Sequence, residues 1–172
     1  MKIIYLEKLK GSPYEEPVLQ LLQSADGEFI PPLSARGSTT QQDLHAARSV
    51  PSGVLDYFHT MAPQPILLAV DEDTVTGFMS FKKDYQCEEV TNLPNLYAST
   101  CVVAPSARGQ GLMEGFYREM LRLFPRCHIY TRTWHTNFAH IRVLEKLGFS
   151  LCARLQNHRA PGLDTVYYTR SQ

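Results

Sequence analysis

Closely spaced cysteines are missing from this sequence. Cys87, Cys101, Cys127 and Cys152 stand far apart and form no C-x-x-C pair. That excludes a finger-type zinc site and argues for buried free thiols rather than a disulfide framework. The six histidines form no H-E-x-x-H or H-x3-H pattern, and no metal is expected. Long apolar runs are equally scarce. The longest, from Ile66 to Val70, has five residues, whereas a membrane-spanning helix needs about 20. The start, Met1-Lys2-Ile3-Ile4-Tyr5-Leu6-Glu7-Lys8, has no signal-peptide pattern. A soluble, cytoplasmic protein with no membrane partner is the expectation. Net charge is missing too: 17 Lys and Arg balance 17 Asp and Glu. A protein that coats nucleic acid needs a positive excess, so no nucleic-acid partner is expected.

What is present is enough for a globular domain. The chain has 172 residues, 44% of them hydrophobic and 20% charged. A chain of this size buries roughly 70% of its unfolded surface, and residues 1–172 read as a single domain. The zero net charge is a cancellation. Residues 1–100 hold seven Lys and Arg against thirteen Asp and Glu, while residues 101–160 hold nine against three. A basic back half suits a compact polyanion such as a nucleotide; scattered surface arginines are the plainer alternative.

Periodicity and turn signals give a coarse order of elements. Residues 2–8 read as a strand, 14–24 as a helix and 27–38 as a loop. Residues 41–48 and 54–61 read as short helices on either side of Pro51-Ser52-Gly53. Residues 65–70 and 74–82 make a hairpin. A strand over 96–103, a helix over 112–124 and a strand over 127–133 form a crossover unit, which makes the two strands parallel. A helix over 137–147 ends at Gly148, which suits a left-handed cap with Phe149 folded back on Leu144. Strands over 149–157 and 165–169 close a mixed α/β domain.

One stretch carries chemistry: Val103-Ala104-Pro105-Ser106-Ala107-Arg108-Gly109-Gln110-Gly111-Leu112-Met113. A strand ends, a short loop carries an arginine and two glycines, and a helix begins. The first helical amides have no internal acceptors and the helix dipole is positive there, so a diphosphate can sit beside Arg108. A Walker loop would need Gly-Lys-Ser/Thr, which is absent. A dinucleotide fingerprint would need a small residue where Glu114 stands. A plain glycine-rich turn remains as the alternative.

Arg108-Gly109-Gln110-Gly111-Leu112-Met113 resembles the R-x-x-G-x-G/A signature of the GNAT family of N-acetyltransferases. Asn137-Phe138-Ala139-His140-Ile141-Arg142-Val143-Leu144-Glu145-Lys146-Leu147-Gly148-Phe149 resembles its second motif, N-x-x-A-x-x-L-Y-x-K-x-G-F. The resemblance covers residues 65–170 well and the rest by element order. It implies a GNAT-like α+β fold. The central sheet would be mixed and mostly antiparallel, with about six or seven strands, a V-shaped splay between two parallel strands and about four flanking helices. It implies acetyl-CoA as co-substrate, its diphosphate on Arg108, Gly109, Gln110, Gly111, Leu112 and Met113. It implies the pantetheine arm along Cys101, Val102 and Val103, with Asn137 at its far end. A helix N-cap is the compatible plain role for Asn137.

Two positions depart from the family pattern. Met113 stands where Gly or Ala is usual, with its side chain expected inward beside Tyr117 and Leu121. Leu144 stands where many members carry a tyrosine that protonates the leaving thiolate. His140 shares a helix face with Asn137 and Leu144 and is the candidate proton donor; His135 is the candidate base. Tyr97 and Tyr130 are weaker candidates, and Cys101 as a nucleophile weaker still. The implied reaction is acetyl transfer to a primary amine of a small molecule or peptide by direct attack. A non-catalytic acyl-CoA-binding module is the alternative, kept open by Leu144. Residues 27–38 and 83–95 are expected to meet the acceptor. Asp26, Glu28, Asp84, Glu88 and Glu89 suggest an acidic rim for a cationic amine. Oligomeric state is open, a homodimer included.

Overall fold

The computed structural model describes residues 1–45 and 53–171. Seven strands form one sheet: β1 (Lys2–Leu6), β2 (Ile66–Asp71), β3 (Thr74–Lys83), β4 (Asn95–Val103), β5 (His128–Trp134), β6 (Ser150–Ala160) and β7 (Leu163–Arg170). Their spatial order is β1-β2-β3-β4-β5-β7-β6, and every neighbouring pair is antiparallel except β4 and β5. The described helices are α1 (Glu15–Ala25), α2 (Leu55–Met61), α3 (Leu112–Leu123) and α4 (Phe138–Lys146).

The helices cover opposite faces of the sheet. Helices α1 and α2 bury Val18, Leu22, Tyr57, Phe58 and Met61 against Leu68, Phe78 and Val102. On the other face, α3 buries Leu112, Phe116, Tyr117 and Met120 against Leu67, Met79, Leu96 and Ile129. Those α3 positions follow the 3.6-residue period of an amphipathic helix. Gly115 lets α3 come close to the sheet: a Cβ there would lie 3.1 Å from Ile3 Cδ1. Helix α4 ends in a Schellman cap. Gly148 takes φ of 82°, its amide donates to the Glu145 carbonyl at 3.0 Å, and the Phe149 amide donates to the Leu144 carbonyl at 2.9 Å.

Two irregularities create the site. Ser80 pairs with Thr100 but Phe81 pairs with Ala98, so Ser99 is an extra residue in β4. Such a bulge reverses which side chains face each layer. Leu96 and Ala98 point to the α3 side before it, Cys101 and Val103 after it. The second irregularity is a fork. The parallel β4–β5 ladder runs from Asn95↔His128 to Ala98↔Thr131; among the described residues it goes no further, although both strands continue.

Residues 41–45 are not helical; the rest of the expected 41–48 helix lies outside the described residues. Local side-chain bonds take the place of a helical ladder. Gln41 Oε1 accepts from the Gly37 amide at 2.7 Å, and Asp43 Oδ1 accepts from the His45 amide at 3.1 Å. Among the described residues no helix is long and apolar enough to cross a membrane, and no His, Cys, Asp and Glu cluster could hold a metal.

Candidate active site

The sheet opens at the fork into a cavity of about 520 Å³. Alternation along β5 divides its wall between the two faces. Thr133 turns to the α4 side, where its Oγ1 accepts a hydrogen bond from Asn137 Nδ2 at 2.9 Å. Arg132 and Trp134 turn to the α1–α2 side: Arg132 donates to the Gln41 carbonyl, and Trp134 meets Phe29 edge-on.

The buried groups on the α3–α4 side are uncharged. Tyr117 is fully buried, yet its side chain lines the cavity. The Tyr117 hydroxyl and His140 Nε2 share a hydrogen bond of 2.8 Å, and Phe149 packs edge-on against the Tyr117 ring at 5.3 Å. Burial raises the Tyr117 hydroxyl well above the usual phenol range and lowers His140 to about 4. Tyr117 therefore keeps its proton at neutral pH, and His140 is uncharged there. Burial also raises the Cys101 thiol to about 12, so it is no ready nucleophile.

The mouth is formed by the loop before α3. Gly109 and Gly111 have φ of 74° and 76°, a backbone that side chains rarely adopt. A Cβ on either would meet nothing within 4 Å. The first bond of α3 runs from the Gly115 amide to the Gly111 carbonyl at 2.9 Å. The amides of Leu112, Met113 and Glu114 precede it and have no acceptor within the helix. Arg108 is about half exposed; its Nε donates to the Val103 carbonyl, and its NH2 donates to both Glu28 carboxylate oxygens at 2.7 and 2.8 Å.

The α1–α2 side is cationic. Arg36, Arg132 and Arg159 all line the cavity, with Arg36 only 6% and Arg159 only 4% exposed. Arg36 donates twice to the Pro31 carbonyl, and Arg159 donates to the Ile30 carbonyl and Thr165 Oγ1. Arg36 lies over Phe29, and Arg159 over Trp134. None of the three forms an ion pair among the described residues. Burial, with the charges of Arg36 and Arg132, pushes Arg159 down to about 9.

The model of the acetyltransferase (GNAT) family matches residues 28–149. The chain belongs to the GNAT acetyltransferase family. Solved structures agree on the fold. A ribosomal-protein-alanine N-acetyltransferase from Brucella melitensis superposes with a TM-score of 0.70 at 16% identity, covering 100% of both chains. The yncA protein of Salmonella typhimurium, solved with its cofactor acetyl-CoA, gives 0.66 at 15%, covering 98% of this chain and 93% of that one. An aminoglycoside 6'-acetyltransferase type Ii gives 0.69 at 14%, covering 99% and 97%. Among curated proteins no sequence matches significantly.

The residues of this GNAT chain fit acetyl-CoA. The loop at Gly109 and Gly111 has space for a phosphate, with amides and Arg108 beside it. Past the fork, the β4 edge at Cys101 to Val103 no longer pairs with β5. Of the residues singled out in the sequence, Cys101, Val102, Val103, Arg108, Gly111, Leu112, Met113, Asn137 and His140 line the cavity. Gly109 and Gln110 are exposed on the loop between lining residues. Asn137 stands at the N-cap of α4 but makes no side-chain cap bond.

His135 does not line the cavity. Its amide donates to the Asp164 carbonyl and its Nδ1 accepts from the Asp164 amide, both at 3.0 Å, which ties it to the start of β7. Of the expected acidic rim, only Glu28 lines the cavity, and it pairs with Arg108. Asp84, Glu88 and Glu89 do not line the cavity, and Asp26 accepts from the Ser34 amide and hydroxyl. Sequence reasoning missed Tyr117, which the apolar stripe of α3 presents as a packing residue. A buried tyrosine hydroxyl that needs a partner was the available signal. It also missed Arg36, Arg132 and Arg159, which no local pattern links.

Proposed function

We propose that the chain is a single-domain N-acetyltransferase that moves an acetyl group from acetyl-CoA to a primary amine by direct attack in a ternary complex. The observation that carries this reading is the fork past Ala98 and Thr131, opening between the glycine loop and a buried tyrosine. Acetyl-CoA supplies an activated thioester carbon. The amides that begin α3, with Arg108 freed from Glu28, hold the diphosphate. The β4 edge at Cys101 to Val103 bonds the pantetheine arm, and Asn137 orients its end.

Tyr117 takes the place of the tyrosine missing at position 144. His140, with its proton on Nε2, donates to the Tyr117 oxygen and turns the phenolic proton toward the slot. Tyr117 then protonates the departing sulfur. The amine gives up one proton and the thiol gains one, so the exchange balances and Tyr117 is restored. Tyr117 is the catalytic residue here, and His140 is a positioning residue. His140 has lost its own spare proton at neutral pH and is not the direct donor.

Release of the CoA thiol on a panel of amines tests the reading. Turnover is expected for at least one amine class. Acetyl-CoA binding without turnover on a broad panel would instead support a non-catalytic acyl-CoA module.

A further inference from the structure

The three arginines on the α1–α2 side come from distant parts of the chain: the loop after α1, the middle of β5 and the end of β6. They converge on one wall, and no described carboxylate forms an ion pair with any of them. Their named partners are the carbonyls of Ile30, Pro31 and Gln41 and the hydroxyls of Thr165 and Tyr167. A guanidinium has five N–H donors, and these bonds occupy two on each arginine. The carboxylates that line the cavity are committed elsewhere. Glu28 pairs with Arg108, and Glu114 pairs with Arg118 and Lys146. Cys101, Tyr117 and His140 are uncharged at neutral pH. The cavity therefore carries three positive charges that the described residues do not pair; when Arg108 leaves Glu28 for the diphosphate, that single half-exposed carboxylate at the mouth still bonds to none of the three.

Burying like charges together is costly unless a counter-charge arrives. Resting on the acetyltransferase reading, we propose that the counter-charge is part of the acceptor: a small amine that also bears a carboxylate, phosphonate or phosphate, held by Arg36, Arg132 and Arg159. The enclosure of Arg36 and Arg159 favours a small molecule over a protein surface. Phe29 and Trp134, beneath Arg36 and Arg159, keep the planar guanidiniums in place and give the acceptor an apolar flank. The same positive wall disfavours the ammonium form of the acceptor, so the amine arrives deprotonated without a dedicated base.

The first test compares amino acids with their decarboxylated amines and carboxamides, and with aminoalkylphosphonates and phosphorylated amines, at saturating acetyl-CoA. The anionic amines are expected to have kcat/KM at least ~10-fold above their neutral counterparts, the size expected when a buried charge loses its partner. The carboxylate and phosphorus arms identify which oxyanion is preferred. Turnover of neutral or cationic amines as good as that of anionic ones would overturn the proposal and leave acetyl transfer standing.

The second test does not depend on turnover. Fluorescence of Trp134, the single tryptophan, is followed while CoA-loaded protein is titrated with the same compounds. Saturable quenching by the anionic compounds only is expected; no difference between them and their carboxamides would refute the proposal. In Arg159→Gln and Arg36→Gln, KM for the anionic acceptor should rise ~10–100-fold. Acetyl-CoA affinity and the melting temperature should hold, because a like charge has been removed. A loss of acetyl-CoA affinity with unchanged acceptor discrimination would assign the arginines to the cofactor and overturn the proposal.

Discussion

The two sides of the slot solve opposite problems. On the α3–α4 side, Cys101, Tyr117 and His140 are buried in their uncharged forms, and Tyr117 and His140 satisfy each other. On the α1–α2 side, buried Arg36 and Arg159 and half-buried Arg132 have neutral hydrogen-bond partners only. A neutral side suits a thioester, whose sulfur needs one proton at one moment. A charged side suits a molecule that brings its own opposite charge. The difference teaches that burial alone does not define a site; what matters is whether buried polar groups are closed among themselves or left open to a ligand.

The sharpest way to break this contrast is Tyr117→Phe. Removing the proton donor while keeping the ring should lower kcat ~100-fold or more, with KM for acetyl-CoA and the fold little changed. A kcat within twofold of the parent in stopped-flow thiol release would remove Tyr117 from the chemistry. Arg108→Ala addresses the mouth. A charge-assisted bond to a phosphate is worth about 1.5–3 kcal/mol, so KM for acetyl-CoA should rise at least ~10-fold with kcat unchanged. An unaltered KM would place the diphosphate elsewhere.

His140 sharpens the neutral side through stability. Its folded value of about 4 lies below the ordinary 6.5. The unfolded chain therefore binds the extra proton between those values, and stability is lost as pH falls from 6.5 toward 4. Full loss would amount to about 3 kcal/mol. His158 is lowered by burial too and acts with the same sign. In His140→Asn, the fall in melting temperature between pH 7 and 5 should be several degrees smaller than in the parent; an identical slope would show that His140 is not buried as an uncharged ring. The pH profile of kcat should change as well, which a packing role alone would not cause.

The smallest effect belongs to the exposed pair at the mouth. Glu28→Gln frees Arg108 from a half-exposed ion pair worth about 1 kcal/mol at most. Acetyl-CoA affinity should rise up to about fivefold by calorimetry, and the gain should shrink in high salt. A weaker affinity would mean that Glu28 orients Arg108 rather than competing for it.

Much of the scaffold was legible because its signals are local. Gly109 and Gly111 need a backbone that glycine adopts freely, and Gly148 with Phe149 announces a cap through a few consecutive residues. The fork was legible only through family resemblance, since nothing in the sequences of β4 or β5 says where their pairing ends. The bulge at Ser99 was missed for the same reason: it exists in register with β3, not in its own residue. The region 41–45 misled because its spacing suits a helix while Gln41 and Asp43 bond to nearby backbone instead.

The sequence by itself determined the family, through its two motifs, and most of the order of elements with the glycine loop before α3, through short-range backbone preference and hydrophobic period. The tertiary structure alone decided which tyrosine reaches the slot and where charge gathers. Tyr117 became a candidate donor because α4 brings His140 to its hydroxyl. The α1–α2 side of the cavity is basic because folding joins Arg36, Arg132 and Arg159 on one wall and pairs Glu28 with Arg108. Electrostatic interaction acts through space, so a charge count along the chain cannot reveal which charges will share a cavity.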